Sequence, residues 1–71
     1  MSPVDNNSQV YTEEHYKSKF LENAALSEHY ARQKIINSSN SDLYYRYASL
    51  EYYYKSLALY YKGFFSALGN M

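Results

Sequence analysis

The chain has 71 residues, no cysteine, and seven acidic against seven basic residues, so its formal net charge is zero. A chain this short forms one small domain and buries only about 60% of the surface that its unfolded form exposes. Small domains compensate with disulfides, a bound metal or association, and the lack of cysteine excludes disulfides and thiolate metal sites. Nucleic-acid binders normally carry a basic excess that neutralises phosphates, so direct nucleic-acid binding is not expected. Association with other proteins remains.

The first ten residues are polar and show no apolar periodicity. We therefore predict a disordered tail over residues 1–10, followed by one helical domain over 11–71. The tail lacks the apolar centre of a secretory signal. The longest weakly charged run, 56–68, contains Lys62 and is shorter than the roughly 20 residues that span a bilayer. A soluble, intracellular protein without membrane contact is expected.

The first predicted helix covers residues 12–36. Thr12 can cap it, and Glu13 and Glu14 are well placed against its N-terminal dipole. Its apolar residues recur at helical spacing and form one dry stripe, in which three of the five members are small. The stripe consists of Phe20, Ala24, Ser27, Ala31 and Ile35. Small side chains allow close approach of another helix, so we assign this stripe to hairpin packing or to a second interface.

The second predicted helix covers residues 42–68 and follows a loop of turn-forming residues over 37–41. Asn40 or Ser41 can cap its start, and Gly69 is placed to end it as a C-cap glycine. The loop is short, so the two helices should lie antiparallel. The predicted fold is an all-α, antiparallel two-helix hairpin.

The second helix carries an apolar repeat with alternating spacings of four and three residues. Its members are Leu43, Tyr47, Leu50, Tyr54, Leu57, Tyr61, Phe64 and Leu68. This spacing is typical of a helix that packs along other helices. Two further lines run beside it at intervals of seven residues: Ser49, Ser56 and Gly63, and Tyr45, Tyr52 and Leu59. A helix that is apolar on nearly every side is normally buried. One neighbouring helix cannot cover it, so we expect burial in a multi-helix assembly.

Tyrosine is the most unusual component of the chain. There are eleven tyrosines and no tryptophan, and eight of the eleven lie between Tyr44 and Tyr61. Tyrosine is enriched at protein interfaces, where it offers a large contact area together with a hydroxyl group. This concentration favours an assembly interface over the core of a monomer.

No pattern in the sequence indicates catalysis or a cofactor. His15 and His29 would lie about 21 Å apart along one helix, so they cannot share a metal. The chain has no glycine-rich phosphate loop, nucleophile elbow or plausible serine–histidine–aspartate set. We expect a non-enzymatic protein with no metal and no cofactor.

The second helix contains two tyrosine-rich runs, Tyr44-Tyr45-Arg46-Tyr47 and the later Tyr54-Lys55-Ser56-Leu57-Ala58-Leu59-Tyr60-Tyr61. With these runs it resembles the aromatic helix of Gemin eight-like subunits of the survival-of-motor-neuron complex, although the spacing between the two runs is longer here by about one helical turn. The segment from Tyr60 to Gly63 is also similar to the Tyr-x-x-Gly repeats that end the survival-of-motor-neuron protein. Phe64 to Ala67 is a relaxed copy, and no third repeat follows.

The resemblance implies a non-catalytic adaptor that bridges survival-of-motor-neuron helices to the Gemin six–Gemin seven pair during spliceosomal particle assembly. The protein would then be present in cytoplasm and nucleus. The resemblance further implies that six residues contact the survival-of-motor-neuron helices: Tyr44, Arg46, Tyr47, Tyr54, Tyr60 and Gly63. The apolar repeat adds Leu50, Leu57, Tyr61, Phe64 and Leu68 as partner-binding candidates. The stripe on the first helix would serve the hairpin itself or Gemin seven.

Two alternatives remain open on the sequence. The chain could be a self-associating helical bundle, for example a four-helix dimer. It could also be a small phage-type inhibitor that docks on a host protein. Both alternatives use the same apolar faces.

Overall fold

The protein is described by a computed structural model that defines the backbone of residues 12–69 and the side chains of residues 12–66. It contains helix α1, Glu13–Ile36, and helix α2, Ser41–Gly69. The helices pack side by side in opposite directions. The all-α antiparallel hairpin is therefore confirmed. The predicted disordered tail lies outside the described residues.

Helix α1 begins where its capping residue was expected, one residue after Thr12. The Thr12 backbone is extended, and its side-chain oxygen accepts a hydrogen bond of 3.2 Å from the His15 amide. Glu13 and Glu14 fill the first turn, where the helix dipole favours negative charge. At the other end, the Asn37 amide donates to the Gln33 carbonyl at 3.0 Å and closes the helix.

Asn40 is the residue that caps α2. Its side-chain oxygen accepts a hydrogen bond of 3.0 Å from the Leu43 amide, and the helix begins at Ser41, one residue before the predicted start. The helix continues through Gly69. No glycine of the described backbone has a positive φ, so the left-handed C-cap typical of a terminal glycine is not formed within residues 12–69.

The two helices approach closely at the centre of the hairpin. Ser27 and Ala58 are buried there, and the Ser27 hydroxyl donates across the interface to the Glu51 carbonyl at 3.2 Å. A side chain can reach the backbone of a neighbouring helix only where the facing residues are small. Asn23 is also buried, and its side-chain amide donates a hydrogen bond of 2.8 Å to the Lys19 carbonyl, one turn earlier in the same helix.

The hairpin is a single layer of two helices and has almost no interior. Among the described side chains, Ala58 is the one buried hydrophobic residue, and no large side chain is fully buried. Nine large apolar or aromatic side chains in the same range remain at least 39% exposed. The contact between α1 and α2 therefore uses only part of the apolar surface that the sequence provides.

Candidate protein-binding surface

Stacked aromatic rings fill one edge of the contact between the helices. Tyr30 of α1 lies between two tyrosines of α2, with ring centroids 6.0 Å from Tyr47 and 5.7 Å from Tyr54 and rings inclined by 20° and 12°. Offset stacking at these distances contributes beyond the burial of area. The helices are thus held together by aromatic contacts near the loop.

A second group of aromatic contacts lies toward the open end of the hairpin. Tyr16 stacks on Phe64 with centroids 4.8 Å apart and also approaches Tyr61 at 6.3 Å. Phe20 meets Phe65 at 5.4 Å. Together, the aromatic contacts of Tyr30 near the loop and those of Tyr16 and Phe20 near the open end connect the two helices along most of the length of α1.

These contacts divide the predicted apolar repeat. Its tyrosine line, formed by Tyr47, Tyr54 and Tyr61, packs against α1 and serves the hairpin. Its leucine line lies on the flank of this contact, where Leu43, Leu50 and Leu57 are partly covered. The tyrosine line of the repeat therefore packs on the chain's own α1, and contact of the repeat with another protein stays a prediction.

The side of α2 directed away from α1 is rich in exposed aromatic rings. We call this side the outer face of α2. Its large members are Tyr45, Tyr52, Tyr53, Leu59 and Tyr60, with exposed fractions of 68%, 73%, 55%, 58% and 58%. A contiguous apolar surface of this kind on a small protein normally marks an interaction site.

Small residues run along the same outer face. Ser49, Ser56 and Gly63 are all exposed and recur at intervals of seven residues between the large side chains. A Cβ atom built on Gly63 would meet no atom within 4 Å beyond its two chain neighbours and the backbone of the surrounding helix turns. The hairpin itself therefore gives no steric reason for a glycine there, although glycine within a helix costs about 1 kcal/mol relative to alanine.

A shallow groove runs along the other edge of the hairpin. It has a volume of about 330 Å³, and small side chains from both helices form much of its wall. Its lining includes Phe20, Ala24, Ser27 and Ala31 of α1 together with Lys55, Ala58 and Leu59 of α2. Ile35 continues the apolar edge beyond the groove and is 64% exposed. The predicted stripe of α1 thus serves the hairpin through Phe20 and Ser27 and leaves Ala24, Ala31 and Ile35 accessible.

One ion pair connects the helices near this groove. The Lys34 ammonium lies 2.8 Å from a Glu51 carboxylate oxygen, and both side chains are about three-quarters covered, with 22% and 25% exposed. The hydrogen bond to Glu51 raises the pKa of Lys34 above its ordinary value. The same ammonium lies 5.9 Å from the centre of the Tyr44 ring. Tyr44 is partly covered in the hairpin, and its contact with a partner stays a prediction.

The outward side of α1 is different in character. Its exposed residues are mostly polar: Glu14, Ser18, Glu22, His29 and Arg32. Leu21 and Ile36 are also exposed there, at 54% and 71%, but they lie about 22 Å apart along the helix and form no patch. Hence only one of the two outward sides of the hairpin is aromatic, and the candidate interface lies on α2.

The remaining residues predicted to bind a partner differ in their exposure. Arg46, Tyr60 and Gly63 are accessible on or beside the outer face of α2. Phe64 is only partly exposed, because it stacks on α1, and the side chain of Leu68 lies outside the described range.

Sequence reasoning did not place Tyr45, Tyr52, Tyr53 or Leu59 among the partner-binding candidates. The recurrence of Tyr45, Tyr52 and Leu59 every seven residues was the signal that could have identified them. Most of the partner-binding candidates come from the longer apolar repeat between Leu43 and Leu68, which lies beside this line on the same helix.

No family model, curated protein or solved structure matches the chain. Within the described residues, no group of three or more His, Cys, Asp or Glu side chains is placed to hold a metal ion. Over the same part of the chain, neither helix combines the length and hydropathy needed to cross a membrane.

Proposed function

We propose that this chain is a non-catalytic helical adaptor that binds other polypeptides by packing its exposed apolar surfaces against their helices. The observation that carries this proposal is the imbalance in burial: among the described residues, nine large apolar or aromatic side chains are exposed, whereas Ala58 is the one buried hydrophobic residue. Two helices alone cannot enclose a core, and a further helix on either side of α2 would complete one.

The arrangement of these side chains supports two docking surfaces. The outer face of α2 and the groove adjoin at Leu59, which belongs to both, and extend from there in different directions around that helix. Two polypeptides could therefore contact the hairpin at different surfaces. That is the geometry a bridging subunit needs.

In its more specific form, the proposal is the bridging role that the resemblance implies. Survival-of-motor-neuron helices would pack on the outer face of α2, where Arg46, Tyr60 and Gly63 are accessible. Gemin seven would use the edge formed by Ala24, Ala31 and Ile35. The support is the resemblance itself together with the separation of these two sets of residues.

Photo-crosslinking at single positions tests the adaptor role. A benzoylphenylalanine residue replaces Tyr52 on the outer face, Ile35 on the apolar edge beyond the groove, or Ala25 on the mostly polar outward side of α1. All three positions are exposed, so their intrinsic reactivity is comparable. We expect discrete adducts with another polypeptide from positions 52 and 35 in the native cell and none from position 25. Equal labelling at all three, or no adduct at any, would contradict the proposal.

Binding to purified components tests the specific form. The chain is mixed with the tyrosine–glycine-box helices of the survival-of-motor-neuron protein and, separately, with Gemin seven. Tyr60→Ala should reduce binding only to the first and Ile35→Ala only to the second. If neither component binds the unmodified chain, the bridging role is wrong, while the crosslinking result still decides the general adaptor role.

A further inference from the structure

We propose that the outer face of α2 pairs with the same face of a second copy of this chain, with the two α2 helices antiparallel. This inference rests on the proposed docking role of α2 and names one occupant for that surface. A partner helix that uses the same residues would have to displace the second copy.

The first argument is the order of large and small residues along the outer face. Tyr45, Ser49, Tyr52, Ser56, Leu59 and Gly63 follow one another with alternating spacings of four and three residues. This is the spacing of a helix seam that packs against a parallel or antiparallel partner. Here large and small side chains alternate along the whole seam, and all six remain exposed in the hairpin.

The second argument is that the seam matches its own reverse. When two copies are aligned antiparallel and centred between Tyr52 and Ser56, each large residue meets a small one. Tyr45 lies opposite Gly63, Ser49 opposite Leu59, and Tyr52 opposite Ser56 of the second copy. Each pair repeats on the other side of the two-fold axis, as an isologous interface requires.

The parallel alternative packs poorly. It would place tyrosine against tyrosine in two layers and serine or glycine against its equivalent in the layers between them. Crowded and empty layers would then alternate, and both overpacking and voids are unfavourable. The antiparallel arrangement gives every layer one large and one small side chain, so the spacing between the helices stays even.

The available area is sufficient for a stable dimer. If a whole aromatic side chain has about 200 Å² of surface, the exposed fractions of Tyr45, Tyr52, Tyr53 and Tyr60 amount to about 500 Å² per copy. Leu59 and the small residues bring this to about 600–700 Å², hence about 1,200–1,400 Å² in total, which is within the range of specific interfaces. The dimer would place this aromatic surface in an interior instead of leaving it in water.

Charge does not oppose self-association. Each copy has a formal net charge of zero, so two copies experience no overall repulsion. Arg46 of one copy lies near Tyr60 of the other, where a cation–π contact can form. The closest like charges are the two copies of Lys55 near the axis, and exposed lysines at the rim repel each other only weakly in salt.

Sedimentation equilibrium of the purified full chain tests the pairing. We expect the mass of two copies, and Ser56→Arg should weaken the dimer at least about tenfold because it puts a second large side chain into the layer that Tyr52 already fills. Ser18→Arg makes the same change on the polar side of α1 and should leave the mass unchanged. A monomeric mass at about 100 μM for the unmodified chain would overturn the proposal, since interfaces of this size reach micromolar affinity or better.

Thiol crosslinking tests whether the two α2 helices are antiparallel. The chain has no cysteine of its own, so only the introduced thiols can react. Chains with Ser49→Cys and chains with Leu59→Cys are treated with a short bifunctional thiol reagent, alone and mixed. In the antiparallel dimer only the mixture crosslinks, because equivalent positions in the two copies are about 15 Å apart along the axis. Crosslinking of each variant with itself, or a dimer that shows no crosslink in the mixture, would refute this arrangement. An in-cell adduct from position 52 with a different polypeptide alone would remove the second copy as occupant and leave the adaptor role intact.

Discussion

Replacing Gly63 by alanine should change the stability of the free hairpin and its self-association in opposite directions. In the free hairpin the new methyl group meets no atom within 4 Å, so the replacement adds helix propensity without a clash. The gain is about 1 kcal/mol in the free energy of unfolding. With a urea dependence of about 1 kcal/mol per molar for so small a protein, the midpoint of unfolding should rise by about 1 M.

The dimer should respond differently. In the proposed pairing Gly63 lies opposite Tyr45 of the second copy, so a methyl group there separates the two helices. The variant should therefore gain less stability from an increase in protein concentration than the unmodified chain does. Circular dichroism during urea titration, at one concentration below and one above dimer formation, measures both effects.

The matched control is the reverse change on the polar side of α1. Ala25→Gly should lower the free energy of unfolding by about 1 kcal/mol at both concentrations, because that position has no partner in the proposed dimer. Two results would refute the reasoning. Failure of Gly63→Ala to stabilise the dilute hairpin would show that the position is not open. An equal gain at both concentrations would show that no helix packs closely against Gly63.

Three further predictions concern the hairpin itself. Tyr30→Ala should destabilise the hairpin by about 2 kcal/mol because it removes both stacked contacts of a half-buried ring. Tyr53→Ala, at an exposed ring, should cost less than half as much. Equal losses of stability for the two variants in urea titration would contradict the assigned packing. Thr12→Ala should lower the free energy of unfolding by about 1 kcal/mol through loss of the cap, and Thr12→Ser should not, which calorimetry can check. The ion pair with Glu51 raises the pKa of Lys34, so its contribution to stability is complete below the ordinary value of 10.5 and is lost as the pH rises through the higher folded value. The difference in urea midpoint between the native chain and Lys34→Met should thus stay constant from neutral pH to about 10 and shrink above that, and a difference that grows there would show the opposite sign.

The ends of both helices could be predicted from the sequence because they depend on local chemistry. The side chains of Thr12 and Asn40 satisfy backbone amides that a helix leaves without partners, and this requirement involves only three or four consecutive residues. The observed starts differ from the predicted ones by a single residue. The loop between the helices followed from the same reasoning.

The rotation of α2 about its own axis could not be predicted in the same way. Periodicity reveals which side of a helix faces its neighbour only when one side is apolar and the rest is polar. In α2 several lines are apolar, so the sequence allowed more than one side to meet α1. The choice depends on contacts between distant residues, such as Tyr30 with Tyr54 and Ser27 with the Glu51 carbonyl, which no pattern within α2 contains.

The same ambiguity is what favours an assembly. A helix that meets one neighbour needs one apolar side, and α2 has a second one that α1 does not reach. The outward side of α1 is mostly polar and its exposed Leu21 and Ile36 lie far apart, so an additional helix gains less by packing there. Growth across α2 is the arrangement that removes the most aromatic surface from water, and it places α2 between two layers. An antiparallel second copy satisfies this requirement with no other protein, and its seam already alternates large and small side chains in the order that such pairing needs.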